Sequence, residues 1–237
     1  MLGIALILFA CSNNQTSEDQ ILSKYLERYA PDKSKAYMEY SIRFNKAGDF
    51  EKGFRYLDMA VELDPVTHLG YRGWIRLRKM RDYDQALNDF GLLDSLTPDV
   101  IDAPWGEDID FLRGECYFGK RNYSQAIQSF SQSIGNHGED WVDIQTFVYL
   151  GLSEYKLGHY EIAITQFVRA LEQSANTCEA FFGLAKTYEK MGQKSKAIEY
   201  AKLAEENIAY KREDVYNEYL NEIYLLEIQE YRKYLDQ

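Results

Sequence analysis

The sequence predicts an all-α chain of repeated helix pairs, an α-solenoid closed by a helix at either end, and two observations carry that prediction. Five times a glycine or short polar turn is followed by an aromatic and, three residues later, by a small residue. The pairs are Phe50/Gly53, Tyr83/Ala86, Tyr123/Ala126, Tyr160/Ala163 and, with Lys194 in the aromatic's place, Ala197. The small residues lie 33, 40, 37 and 34 positions apart, and a recurrence of that length marks units that cannot bury an apolar face alone and must stack. The second observation is helical periodicity inside the units. Phe147, Leu150, Gly151 and Glu154 fall at i, i+3, i+4 and i+7, and all but the glutamate suit a packed helix face.

Taken in order, residues 1–10 (Met-Leu-Gly-Ile-Ala-Leu-Ile-Leu-Phe-Ala) are uncharged and apolar, too short to span a membrane as a helix, and read as the apolar core of a secretory signal. Residues 11–17 are polar after Cys11 and form a tether reaching about 15 Å by random-coil scaling. Ser17 and Gln20 have capping-box spacing ahead of the apolar stripe Ile21, Leu22, Tyr25, Leu26 and Tyr29, which makes 18–33 an N-terminal capping helix. The repeats fill 34–210. In the fourth, Gly158 permits φ > 0 and ends the first helix, and Ala163 sits where the second helix crosses it. Val215, Tyr216, Tyr219, Leu220, Ile223 and Leu226, with Tyr231, Tyr234 and Leu235 beyond, predict a helix over 211–237. It either caps the stack or lies along the inner face as a built-in ligand.

These residues match a known pattern. Phe147, Leu150 and Gly151, then Ala163 and Phe167, stand at W-x2-L-G and A-x3-F positions and resemble the tetratricopeptide repeat, a helix–turn–helix of about 34 residues. Looser copies contain Gly114, Tyr117, Ala126 and Phe130; Gly73, Ala86, Phe90 and Pro98; Tyr37, Tyr40, Gly53 and Pro65; and Phe181, Leu184, Ala197 and Ala201. Two departures stand out. The second copy has an extra residue in its turn at Met80-Arg81, so that its first helix registers on Gly73 or on Ala86 but not on both. Insertions around Pro104-Trp105-Gly106-Glu107-Asp108 and Gly135-Asn136-His137-Gly138 separate copies two, three and four. Insertions in a solenoid map to loops on one face, often the binding face. Leu8-Phe9-Ala10-Cys11 resembles a lipobox, in which the cysteine carries lipid, so the whole resembles bacterial repeat-bearing lipoproteins. That resemblance implies a lipidated Cys11 and a place in the bacterial envelope, at the outer membrane.

Composition narrows the function. The formal net charge of −11 argues against nucleic acid, which calls for basic patches, and Arg76, Arg78, Lys79 and Arg81 read as a solvated helix face. Cys116 and Cys178 fall in different copies and read as unpaired thiols. His68, His137 and His159 are dispersed, and no metal-ligand spacing, cofactor motif or catalytic cluster is visible, so neither an enzyme nor a cofactor is expected. Asp108 and Asp110 read as helix N-terminal charges.

The tetratricopeptide resemblance implies a concave face lined by the first helix of each copy. Carried over by position, it gives Lys35, Met38, Ile42, Asn45 and Lys46; Asp108, Phe111, Glu115, Phe118 and Gly119; Gln145, Val148, Leu152, Tyr155 and Lys156; and Glu179, Phe182, Lys186, Glu189 and Lys190. The centre is apolar and aromatic, which marks an interaction site or a covered one. Met38 and Ile42 stand where chaperone-binding members clamp a carboxylate, and they cannot do so. Trp105, with Glu107 and Asp108 on the insertion, either plugs a gap between helices or sits at the rim as a hot spot. The expectation is a membrane-tethered scaffold that takes a protein or peptide in its groove. The alternative is a glycan-binding surface lipoprotein, with Trp74, Trp105 and Trp141 stacking on sugars.

Overall fold

The computed structural model describes residues 17–211 and 219–237. Residues 1–16, including Cys11, and Val215 and Tyr216 lie outside the described residues. The fold is all-α, and no strand occurs among the described residues. Its helices are α1 (Ser17–Arg28), α2 (Lys33–Lys46), α3 (Phe50–Leu63), α4 (Pro65–Ile75), α5 (Tyr83–Leu96), α6 (Ile109–Gly119), α7 (Tyr123–His137), α8 (Ile144–Leu157), α9 (Tyr160–Gln173), α10 (Cys178–Lys190), α11 (Lys194–Asn207) and α12 (Leu225–Leu235). The chain divides into two compact units, Met1–His68 and Leu69–Gln237.

In the first unit α2 and α3 form a helix pair and α1 packs on it. Asp32 and Asp49 cap the pair by accepting from the Lys35 and Lys52 N–H groups, a device that typically contributes about 1 kcal/mol. Tyr25, Tyr40, Phe44 and Tyr56 interlock, with Tyr40–Tyr56 centroids 4.7 Å apart. The α1 residue Glu18 ties the layers together by accepting from Tyr56 Oη at 3.1 Å and Lys52 Nζ at 3.0 Å.

In the second unit each helix from α5 to α11 packs on the next, and α6, α8 and α10 also adjoin one another. First helices therefore make an inner layer and second helices an outer one. The close approach rests on a glycine that seats an aromatic. A Cβ on Gly73 would stand 2.6 Å from the Phe90 ring, one on Gly114 2.5 Å from Phe130, and one on Gly151 2.6 Å from Phe167. Ala86, Ala126, Ala163 and Ala197 are all fully buried at the crossings.

The extra residue of the second copy has a structural answer. Gly73 and Phe90 are 17 positions apart, where Gly114/Phe130 and Gly151/Phe167 are 16. Arg76–Met80 is a π-helical turn, which accommodates one additional residue without breaking the helix. Both registers are thereby satisfied, so the either/or expectation is corrected. The turn ends on Arg81 at φ 56°, and Arg121 at φ 60° and Gly158 at φ 83° stand at the equivalent turns of the third and fourth copies.

The expected single helix over 211–237 is corrected as well. Helix α12 begins only at Leu225, and Tyr219–Tyr224 is non-helical. The Leu220 N–H donates to Tyr149 Oη at 2.9 Å in place of a helical carbonyl. Once α12 starts, its Ile228 and Leu235 are buried, Leu235 against Ala185, Ala197 and Ala201, so this part caps α11.

Candidate ligand groove

The groove assembles in the second unit from the π turn of α4 and the inner faces of α6, α8 and α10. Phe111, Val148 and Phe182 are buried, while Phe118, Leu152 and Tyr155 are half-buried. What covers this row is the chain itself. Tyr219 packs edge-on to Phe111 with centroids 6.5 Å apart, Asn221 Nδ2 donates to Gln145 Oε1 at 2.8 Å, and Leu220 joins the same apolar cluster. Farther along, Tyr231 meets Phe182 edge-on at 5.4 Å, Glu227 pairs with Lys186 at 3.1 Å, and Tyr234 Oη donates to Glu189 at 3.3 Å. The groove of copies three to five is a covered one, and its cover is residues 219–235.

At its centre lies a buried ionic network. Arg78, in the middle of the π turn, has no exposed surface. Its Nη1 donates to Glu115 at 2.5 Å and its Nη2 to Glu107 at 2.8 Å, and its guanidinium lies 4.4 Å from the centroid of Tyr219. Reading this arginine as a solvated helix face is therefore wrong. Arg76 also turns inward, to Asp89 at 2.5 Å. Desolvating two charges costs several kcal/mol each unless both are paired. Burial pushes the Glu115 carboxyl up to about 7 against the opposing pull of Arg78. Burial, then Glu115, holds the Tyr149 phenol well above its usual value. Tyr149 thus stays a donor to Glu115 Oε1 at 2.8 Å and keeps a lone pair for the Leu220 N–H.

The insertion residues are placed differently from one another. Glu107 is spent on Arg78 and on Trp74 Nε1 at 2.9 Å. Asp108 caps α6 by accepting from Phe111 N–H and pairs with His137 at 2.8 Å, so its reading as a helix-start charge holds. Trp105 remains 54% exposed, its ring 4.8 Å from Tyr71 and 6.2 Å from Trp74. It is a lid on those two rings rather than a plug. Trp74 is buried, which removes it from any sugar-stacking surface. Trp141, at 86% exposure, overhangs a cleft of about 880 Å³ whose lining includes Asp143, Glu179, Lys211 and Tyr219.

In the first unit Met38 and Ile42 are half-buried on α2. Asn45 is buried at the α2–α3 crossing, where a Cβ on Gly53 would stand 1.9 Å from its Oδ1. It is packing, not groove lining. Lys186 also lies over the Phe182 ring at 4.0 Å. Cys116 and Cys178 are free and buried. Among the described residues no group of acidic, histidine or cysteine side chains is placed to hold a metal, and no helix is long and apolar enough to cross a membrane.

Sequence reasoning missed Arg78, Tyr149 and the Tyr219–Asn221 stretch. One signal was present: Glu115, an acid in the middle of an apolar inner row, requires a buried partner.

Residues 151–192 match the family described as TPR repeat, and residues 179–207 match that described as tetratricopeptide repeat. No curated protein matches the chain. The fold is shared with solved structures. MamA 41-end from Desulfovibrio magneticus RS-1 superposes with TM-score 0.65 at 18% identity, over 77% of this chain and 98% of that one. PilW, described as a widely conserved type IV pilus biogenesis factor, gives 0.61 at 18%, over 76% and 79%. YrrB, described as a TPR protein with an unusual peptide-binding site, gives 0.59 at 18%, over 78% and 91%. Identities this low establish the fold alone. The chain is all-α, and the match to tetratricopeptide-repeat models covers residues 151–207.

Proposed function

We propose that this protein is a scaffold that binds a segment of another protein along its inner groove, and that lipid on Cys11 tethers it to the bacterial envelope. One observation carries the groove reading: the inner face of copies three and four already holds a non-helical stretch of polypeptide, Tyr219–Asn221, through a backbone N–H, an amide side chain and an aromatic ring. A surface that takes a non-helical segment's backbone N–H and side chains in this way is fitted to peptide rather than to a flat partner. The peptide-binding description of YrrB, a protein of the same fold, agrees with it.

The test is a photo-crosslinking residue placed at half-buried Tyr155 on the groove wall, or at exposed Thr165 on the outer helix α9, in the native cell. Adducts to a discrete protein from position 155 and not from 165 are expected. Equal adducts from both, or none from 155, would refute the groove. The tether is tested separately. A fatty-acid probe should label wild type and not Cys11→Ser, and stable anchoring takes more than one acyl chain, so Cys11→Ser should also move the protein out of the membrane fraction.

A further inference from the structure

Resting on that reading, the resident strap identifies what the groove recognises. Three features of the site are specific rather than generic. The first is the Tyr219 ring over the guanidinium of Arg78, 4.4 Å from atom to centroid. That guanidinium is held through both terminal nitrogens by Glu115 and Glu107 and has no exposed surface, so it offers one face to an aromatic. Cation–π attraction strengthens when the cation is desolvated. The second feature is Tyr149 Oη. Its proton is committed to Glu115 Oε1, so it can only accept, and it accepts from the Leu220 backbone N–H. A proline there has no N–H to offer. The third is Gln145 Oε1, which accepts from the Asn221 side-chain amide.

The strap is only partly buried. Tyr219, Leu220, Asn221 and Glu222 are half-buried, Ile223 alone among its neighbours is buried, and Tyr224, Leu225 and Leu226 are exposed. The segment is held at its base by Lys211, which pairs with Glu222 and donates to the Ile223 carbonyl at 3.1 Å.

We propose that Tyr219-Leu220-Asn221 is a resident pseudo-ligand, and that the groove's exchangeable partner is a non-helical protein segment bearing the same pattern. That pattern is an aromatic, then an aliphatic residue with a free N–H, then a carboxamide. The strap competes at the high effective concentration of an intramolecular ligand, of millimolar order, so partners lacking the pattern are excluded.

The probe is a fluorescent peptide, Tyr-Leu-Asn-Glu-Ile, titrated into the full chain in detergent. Against Tyr219→Ala protein it should bind at least tenfold tighter than against wild type, because the internal competitor has lost its ring. Replacing the peptide's tyrosine by alanine, or methylating its leucine nitrogen, should weaken binding at least tenfold. Tyr149→Phe, added to Tyr219→Ala, keeps a ring that stacks on Phe130 at 5.2 Å and removes the hydroxyl that donates to Glu115 and accepts the backbone N–H, so it should erase the N-methyl penalty. Equal binding of the tyrosine and alanine peptides, a penalty that survives Tyr149→Phe, or no gain in Tyr219→Ala would each overturn the proposal. So would a concentration-dependent dimer with no peptide uptake, since the strap would then serve a second copy. Should the peptide fail while crosslinks from position 155 persist, the pattern is wrong and the groove reading stands.

Discussion

Two glycine-to-alanine substitutions, chemically identical, should change stability in opposite directions. Gly91 lies in α5, exposed, and a Cβ built on it meets nothing within 4 Å. Alanine there recovers the propensity gap between the two residues, about 1 kcal/mol. Gly151 lies in α8 and seats Phe167, which is fully buried. The new Cβ would stand 2.6 Å from Phe167 Cε1, and the ring has no retreat, because a Cβ on Gly183 opposite would stand only 2.3 Å from its Cζ. Overpacking of this kind costs about 2 kcal/mol. Set against the propensity gain of about 1 kcal/mol, the net is a loss of about 1 kcal/mol. For a chain of this length that amounts to about 2–4 °C in Tm. Thermal melts followed by circular dichroism should show Gly91→Ala rising by that amount and Gly151→Ala falling by it. Because the clash is with one ring, trimming the ring should cancel it: in a Phe167→Leu background, Gly151→Ala should turn neutral or stabilising, a coupling of the size expected for touching residues. If Gly151→Ala raises Tm as Gly91→Ala does, or if Phe167→Leu leaves its effect unchanged, then the glycine-seated aromatic is not what sets the helix spacing.

Arg121 holds φ 60° at an exposed turn, a conformation that costs a side-chain-bearing residue about 1–2 kcal/mol, so Arg121→Gly should raise Tm. Ala163→Trp should collapse the fourth repeat, since Ala163 has no exposed surface, whereas Lys156→Ala on the exposed end of α8 should leave the melt unchanged; an unaltered melt for Ala163→Trp would mean the repeat register is misplaced. Glu115 gives a pH signature: its folded pKa of about 7 stands above the ordinary glutamate value of 4.5, so the folded state binds more protons than the unfolded one between these values, and the group's contribution to stability is lost as pH rises through that window. Melts from pH 4 to 8 should show wild type losing Tm relative to Glu115→Gln over that range, and a difference that stays flat would refute the assignment. Trp105→Ala removes a lid lying on Tyr71 and Trp74 and should lower Tm without changing peptide capture; a normal melt with capture down tenfold would place Trp105 at the partner instead.

The repeat was legible because its signals are local. Ala86, Ala126, Ala163 and Ala197 recur in register and all proved buried, and Gly158 ended its helix in the left-handed region as its type requires. The groove was less legible. Phe111, Val148 and Phe182 are buried, and whether an apolar row is open or covered depends on a segment more than thirty residues away in the chain, a pairing that no periodicity encodes. The C-terminal stripe misled for the same reason. Tyr219, Leu220 and Ile223 have helical spacing, yet Tyr149 outbids the helical carbonyl for the Leu220 N–H, a tertiary override of local pattern.

Arg78 shows where composition fails as a guide. Four basic residues within six positions ordinarily mean a solvated face, because burying a charge is expensive. Here the inserted residue forces a π turn over Arg76–Met80, and the side chain in its middle points to where two carboxylates, Glu107 and Glu115, can receive it. Neither acid would be tolerable there alone, since breaking a buried pair typically costs about 3–5 kcal/mol. The insertion, the buried arginine and the glutamate in the apolar row are therefore one feature read three times. It is not needed for stacking, because the third, fourth and fifth copies stack without a π turn. Its product is a fixed guanidinium face at the floor of the groove, and the aromatic ring of the strap rests there.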